Sequence, residues 1–89
     1  MKSYKFIVNG KVQGVYYRKT IKENASKSNF NGYIKNLPNG TVEAVVTCEN
    51  SRVDTFISIL KKGSMYSKVI DIKQSTCEEV YTQGFKVKY

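Results

Sequence analysis

Tyr4-Lys5-Phe6-Ile7-Val8-Asn9-Gly10-Lys11-Val12-Gln13-Gly14-Val15-Tyr16-Tyr17-Arg18-Lys19-Thr20-Ile21 changes its hydrophobic period from two to 3.6 across one glycine-containing loop. Up to Val12 the pattern is that of a strand, with Phe6, Val8 and Val12 on one face and Gly10 between them. Gln13-Gly14-Val15 breaks the alternation. From Tyr17 the spacing predicts a helix, with Tyr17, Ile21, Ala25 and Ser28 on one face and Lys19, Lys22, Glu23 and Lys27 outside it, fading near Asn29.

The rest of the chain repeats this grammar. Phe30 to Asn36 alternates, with Phe30, Gly32 and Ile34 on one face. Leu37-Pro38-Asn39-Gly40 is a hairpin turn, because proline presets one central torsion and glycine supplies a positive φ. Thr41 to Cys48 returns as the partner strand, with Val42, Ala44 and Val46 inward. Ser51 and Asp54 suggest a capping box, after which Val53, Phe56, Ile57 and Leu60 follow at helical spacing and Gly63 ends the helix. Val69 to Gln74 and Gly84 to Tyr89 read as further strands, the last with Phe85, Val87 and Tyr89 on one face. The order βαββαβ plus a short C-terminal strand defines an α+β, ferredoxin-like sandwich, two helices on one face of a largely antiparallel sheet. Residues 1–89 form one domain, without repeats or linkers. We expect the first and third strands to be parallel central neighbours with the fourth flanking the first. Cys48 and Cys77 then fall at opposite ends of the sheet and form no disulfide.

Composition narrows the chemistry. There is no histidine, which removes Ser-His-Asp and Cys-His catalysis and the commonest metal ligand. Two cysteines make neither a disulfide framework nor a zinc site. No apolar run approaches a membrane span or a signal peptide, so the expected location is cytoplasmic. The formal net charge of +8, from 15 Lys+Arg against 7 Asp+Glu, favours anionic partners. Arg18 and Arg52 are the only arginines among many lysines, and each marks a candidate place for a planar, two-pronged donor.

The strand–loop–helix segment is a physical recipe for holding a phosphate. The loop and the first helical turn carry N–H groups without internal partners, and the helix dipole adds positive potential there. Gly14 permits the torsion that aims successive N–H groups at one anion, and Arg18 can add a fork of hydrogen bonds. Standing alone, the same segment is also compatible with an ordinary glycine turn, and no Walker A pattern is present.

Gly10-Lys11-Val12-Gln13-Gly14-Val15-Tyr16-Tyr17-Arg18 resembles the acylphosphatase signature G-x-V-Q-G-V-x-[FY]-R. Gly32-Tyr33-Ile34-Lys35-Asn36 through Asn39-Gly40-Thr41-Val42-Glu43 is similar to the second signature of that family, G-[aromatic]-V-x-N-x-x-[DN]-G-x-V-E. Gly63-Ser64-Met65-Tyr66-Ser67-Lys68-Val69 resembles its G-P-x-x-[AS]-x-V stretch. The resemblance implies hydrolysis of the carboxyl–phosphate bond of an acyl phosphate to carboxylate and inorganic phosphate. It implies a phosphate site formed by Gln13, Gly14, Val15, Tyr16, Tyr17 and Arg18, with Arg18 as the anchoring side chain and Asn36 orienting the attacking water. The implied partner is a small-molecule acyl phosphate, with no metal needed; no cofactor or membrane is expected, and the expected state is a monomer. Within the resemblance Tyr17 stands where phenylalanine is commonest, Lys35 where arginine is frequent and Cys48 where glycine is usual, while Ser64 replaces a frequent proline and Asn29-Phe30 the common Gly-Leu.

Such a reaction suits a site without imidazole, because a carboxylate leaves unaided. The competing reading is a catalytically inactive, anion- or nucleic-acid-binding module of the same layout. RNA-recognition sheets display aromatics on their two central strands. The corresponding open-face positions here are Lys5, Ile7, Asn9 and Lys11 on the first strand and Glu43, Val45 and Thr47 on the third, so nucleic acid is not the expected partner.

Overall fold

The computed structural model describes residues 1–89. Its elements are β1 (Lys2–Lys11), α1 (Tyr17–Lys27), β2 (Asn31–Asn36), β3 (Val42–Cys48), a 3-10 turn (Asn50–Arg52), α2 (Val53–Lys62), β4 (Lys68–Cys77) and β5 (Phe85–Lys88). The five strands form one sheet in the order β4-β1-β3-β2-β5. Both helices pack on one face, α1 over β2 and β5 and α2 towards β4. This is the ferredoxin-like α+β sandwich expected from the pattern.

One strand relation differs from expectation. β1 and β3 are antiparallel, as are β1 and β4; only β2 and β5 run parallel. The reason is connectivity. The α1 crossover returns the chain along β1's direction into β2, and the hairpin then reverses it into β3. Cys48 and Cys77 therefore lie at the same end of the sheet, opposite Lys2 and Ser3 of β1 respectively. They are free thiols. β1 separates their strands by roughly 9–10 Å. Cys48 joins the core under the helices, whereas Cys77 shares the other face with Ser3. Strand spacing and opposed faces keep the two thiols apart.

Alternation in β1 sends Tyr4, Phe6 and Val8 to the helix side, where they meet Ile21, Ala25, Phe56 and Leu60. Phe56 is the hub, with its ring 5.4 Å from Phe6, 5.3 Å from Phe30 and 5.7 Å from Phe85. The predicted capping box is absent. The 3-10 turn delivers the chain to α2 already in helical torsions, so Arg52 occupies the cap position with no side-chain cap bond. Arg52 serves α1 instead: its Nη2 donates to the Ser28 carbonyl at 2.6 Å and its guanidinium lies 4.1 Å over the Phe30 ring. A cation on the last carbonyls of a helix is favourable. That accounts for one of the two arginines without invoking a ligand.

β3 is buried along its whole length, although only one face carries helices. On the open face Tyr33 donates to Glu43 at 2.6 Å, and Lys5 and Lys35 lie 3.6 and 3.8 Å from the same carboxylate. Tyr81, from the segment leading to β5, packs edge-on against Tyr33, and its N–H donates to Thr47 Oγ1 at 2.9 Å. Tyr33 is thus the aromatic that a reading of β1 and β3 alone overlooks. It is buried and hydrogen-bonded, not displayed for stacking on a base.

Candidate active site

The loop from Val12 to Tyr16 turns the end of β1 into α1 through two left-handed residues, Gly14 at φ 70 and Tyr16 at φ 61. For glycine this is free; for tyrosine it is unfavourable by about 1–2 kcal/mol. The surroundings must hold it. No oxygen of the protein accepts from the N–H groups of Gly14 through Lys19; the first amide to find one is Thr20's, on the Tyr16 carbonyl at 3.1 Å. No side chain caps the helix and its first turn contains no acid. A run of unpaired donors at a helix start is an anion cradle.

Each residue of the loop takes a distinct role. Gln13's side chain turns away from the cradle: its Nε2 donates to the carbonyls of Leu37 and Thr41, both at 2.8 Å, and so ties the loop to the mouth of the β2–β3 hairpin. Val15 is buried, and its carbonyl accepts from Ser64 Oγ at 2.6 Å. Tyr16's side chain is exposed. Tyr17's ring belongs to the core, and its hydroxyl donates to the Leu60 carbonyl at 2.8 Å. Burial pushes that phenol well above its ordinary value of 10.0. Of the six residues expected to bind phosphate, Arg18 and Tyr16 have polar side chains at the cleft; those of Gln13 and Tyr17 are engaged elsewhere, so these two can contribute through the backbone alone.

Arg18 and Asn36 line the same cleft of about 720 Å³, together with Gly14 and Tyr16 of the loop. β2 ends at Asn36 and Gln13 clamps the following residues against the loop, which brings the two residues to one cleft. Arg18's Nη1 donates to the Lys88 carbonyl at 3.2 Å, and its guanidinium sits 4.9 Å over the Tyr89 ring. Asn36 Oδ1 is buried and accepts from no donor of the protein. Buried polar atoms are almost always paired, so one left open at a cleft is a place for a bound group.

Lys19, Lys22 and Lys86 also line the cleft, and none was singled out from sequence. Lys22 was legible, four residues after Arg18 on one helix face. Lys86 and Tyr89 were not, because only the parallel pairing of β5 with β2 brings them to the site. The lining contains no Asp, Glu, His or Cys side chain. The protein's two ion pairs both involve Glu43 on the far face of the sheet. No acidic side chain offsets the cations at the cleft, although like charges at i, i+4 are unfavourable by about 0.2–0.5 kcal/mol. Such a field draws and holds an anion.

The acylphosphatase family model matches residues 4–87. The chain belongs to the acylphosphatase family. An acylphosphatase of Methanocella arvoryzae is 35% identical over 88 residues, covering 99% of this chain and 100% of the relative. The crystal structure of the acylphosphatase from Bacillus subtilis superposes with a TM-score of 0.90 at 32% identity and full coverage of both chains. That of an acylphosphatase from Coxiella burnetii gives 0.87 at 26% identity, covering 98% of this chain and 92% of the other. No helix of this family member is long and apolar enough to cross a membrane.

Proposed function

We propose that the protein hydrolyses acyl phosphates to a carboxylate and inorganic phosphate, as a single-domain, monomeric, cytoplasmic enzyme that needs no metal. The observation that carries this reading is the buried, unpaired Asn36 Oδ1 in the same cleft as Arg18 and the free amides of Gly14 to Arg18. Cradle amides and the Arg18 guanidinium hold the phosphoryl oxygens and offset their charge. Asn36 Oδ1 accepts a hydrogen bond from the attacking water and fixes its approach. The water oxygen forms the new P–O bond as the bond from phosphorus to the acyl oxygen breaks. The bonding pair leaves on a carboxylate whose acid has a pKa of about 4–5, so no general acid is required. The water proton passes to a phosphoryl oxygen. Positioning and electrostatics supply the catalysis.

The test is benzoyl phosphate hydrolysis in excess EDTA with Arg18→Ala and Asn36→Ala alongside. Expected is turnover that survives the chelator. Arg18→Ala should weaken binding and rate together, and Asn36→Ala should mainly lower kcat. A folded wild type with no turnover above its own variants overturns the catalytic reading.

A further inference from the structure

We propose that Ser64 is a positioning residue for the phosphate cradle, acting through the Val15–Tyr16 peptide. The inference rests on the reading of that loop as a phosphate site. Ser64 Oγ donates to the Val15 carbonyl at 2.6 Å, and that carbonyl accepts no other hydrogen bond. A peptide group is planar, with its C=O and N–H pointing oppositely. Fixing the Val15 carbonyl therefore fixes the direction of the Tyr16 N–H, one of the unpaired donors of the cradle. Tyr16 sits at φ 61, a torsion it does not favour by itself, so this peptide needs an external hold.

Ser64 is well placed to give it. Its own N–H donates to Ser67 Oγ at 2.8 Å, and its carbonyl accepts from Ser67 Oγ at 3.0 Å and Ser67 N–H at 3.2 Å, which closes the turn after α2. Gly63 lets that turn press on Tyr17: a Cβ at Gly63 would stand 2.9 Å from the Tyr17 ring. Across the same seam the Tyr17 hydroxyl donates to the Leu60 carbonyl. Tyr17 and Ser64 stand where the family pattern most often has phenylalanine and frequently has proline, neither of which offers a hydroxyl. Both supply a hydrogen bond between the phosphate loop and the end of α2, one to a helix carbonyl and one to the peptide that aims a cradle donor. The two hydroxyls form one device, and Ser64 is its functional half.

The experiment titrates inorganic phosphate into the ¹⁵N-labelled full chain, following the Tyr16 amide and the dissociation constant, beside benzoyl phosphate kinetics. Ser64→Ala should weaken phosphate binding about tenfold, equivalent to about 1.4 kcal/mol. KM should rise with it, and the phosphate-induced shift of the Tyr16 amide should shrink. Ser64→Thr, which keeps the donor, should restore binding to within about twofold. Ser64→Cys, which keeps the volume but offers only a weak donor, should behave like alanine and serves if Ser64→Ala does not fold. Ile72→Val, which trims a partly buried side chain packed against the core from β4, should lower Tm without moving the dissociation constant. Binding within twofold of wild type in folded Ser64→Ala or Ser64→Cys overturns the proposal while leaving the cradle intact. A wild type whose Gly14 to Arg18 amides do not respond to phosphate overturns the cradle reading itself.

Discussion

Asn36→Ala separates a catalytic asparagine from a turn asparagine by the sign of its effect on stability. In the folded protein Asn36 Oδ1 is buried without a donor, which disfavours the folded state by about 1–3 kcal/mol. The hairpin that follows does not depend on this side chain. Its bonds run from the Thr41 N–H and hydroxyl to Asn39 Oδ1 at 3.1 and 2.6 Å, and from the Gly40 N–H to the Leu37 carbonyl at 3.2 Å. Truncation removes the unpaired oxygen and forfeits the packing of a half-buried side chain, on the order of 1 kcal/mol. The net change in stability is expected between about zero and 2 kcal/mol in favour of the variant. At about 4–8 °C per kcal/mol for a domain of this size, Tm should hold or rise by up to about 15 °C. Activity should move the other way. Losing one preorganised hydrogen bond at the reacting water lowers kcat by about 10²–10³, or 2.7–4 kcal/mol. The assay is calorimetric melting beside benzoyl phosphate turnover on the same preparations. A variant that loses about 2 kcal/mol of stability along with its activity would refute the reasoning and return Asn36 to the hairpin. A stable variant with undiminished kcat would refute it equally.

Arg18→Lys keeps the charge but loses the planar fork, so kcat/KM for benzoyl phosphate should fall at least about tenfold, with Arg18→Ala lower still. Gln13→Ala removes two hydrogen bonds, while the Leu37 and Thr41 carbonyls each keep a backbone donor; urea unfolding should show a loss of about 1–2 kcal/mol, with kcat falling because the hairpin carrying Asn36 is released. The phenols of Tyr17 and Tyr33 are raised above 10.0, Tyr17's by burial and Tyr33's by burial and then by its bond to Glu43. The native state keeps these protons where the unfolded chain has lost them, so their contribution is complete below pH 10 and declines as pH climbs beyond it. Urea unfolding between pH 8 and pH 11 should show that decline, and Tyr17→Phe should flatten part of it.

Period and punctuation made most of the fold legible, because each element is amphipathic against one core. Phe6 and Val8, Ile21 and Ala25, and Phe56 and Leu60 all face where their spacing puts them. What failed was relational. Strand direction follows from counting reversals along the chain, and a miscount of β1 against β3 moved Cys48 to the wrong end of the sheet. The Ser51–Asp54 motif was real as a pattern, yet the 3-10 turn before α2 left it no cap to form. At the site, residue types announced an anion cradle, but not which atoms serve it. Gln13 and Tyr17 matched a phosphate-binding motif, and their side chains turn out to hold the loop in place from behind. The same segment thus encodes two tasks. Its backbone N–H groups are left open to serve the proposed phosphate site, and the side chains of Gln13, Val15 and Tyr17 face the protein. A loop with two left-handed residues and a run of unpaired amides is unfavourable on its own. It persists because Gln13, Tyr17 and Ser64 anchor it to the hairpin on one side and to α2 on the other. Side-chain anchoring of this kind depends on distant partners, at separations of 24 to 49 residues. Local motif reading detects the cradle and is blind to what braces it.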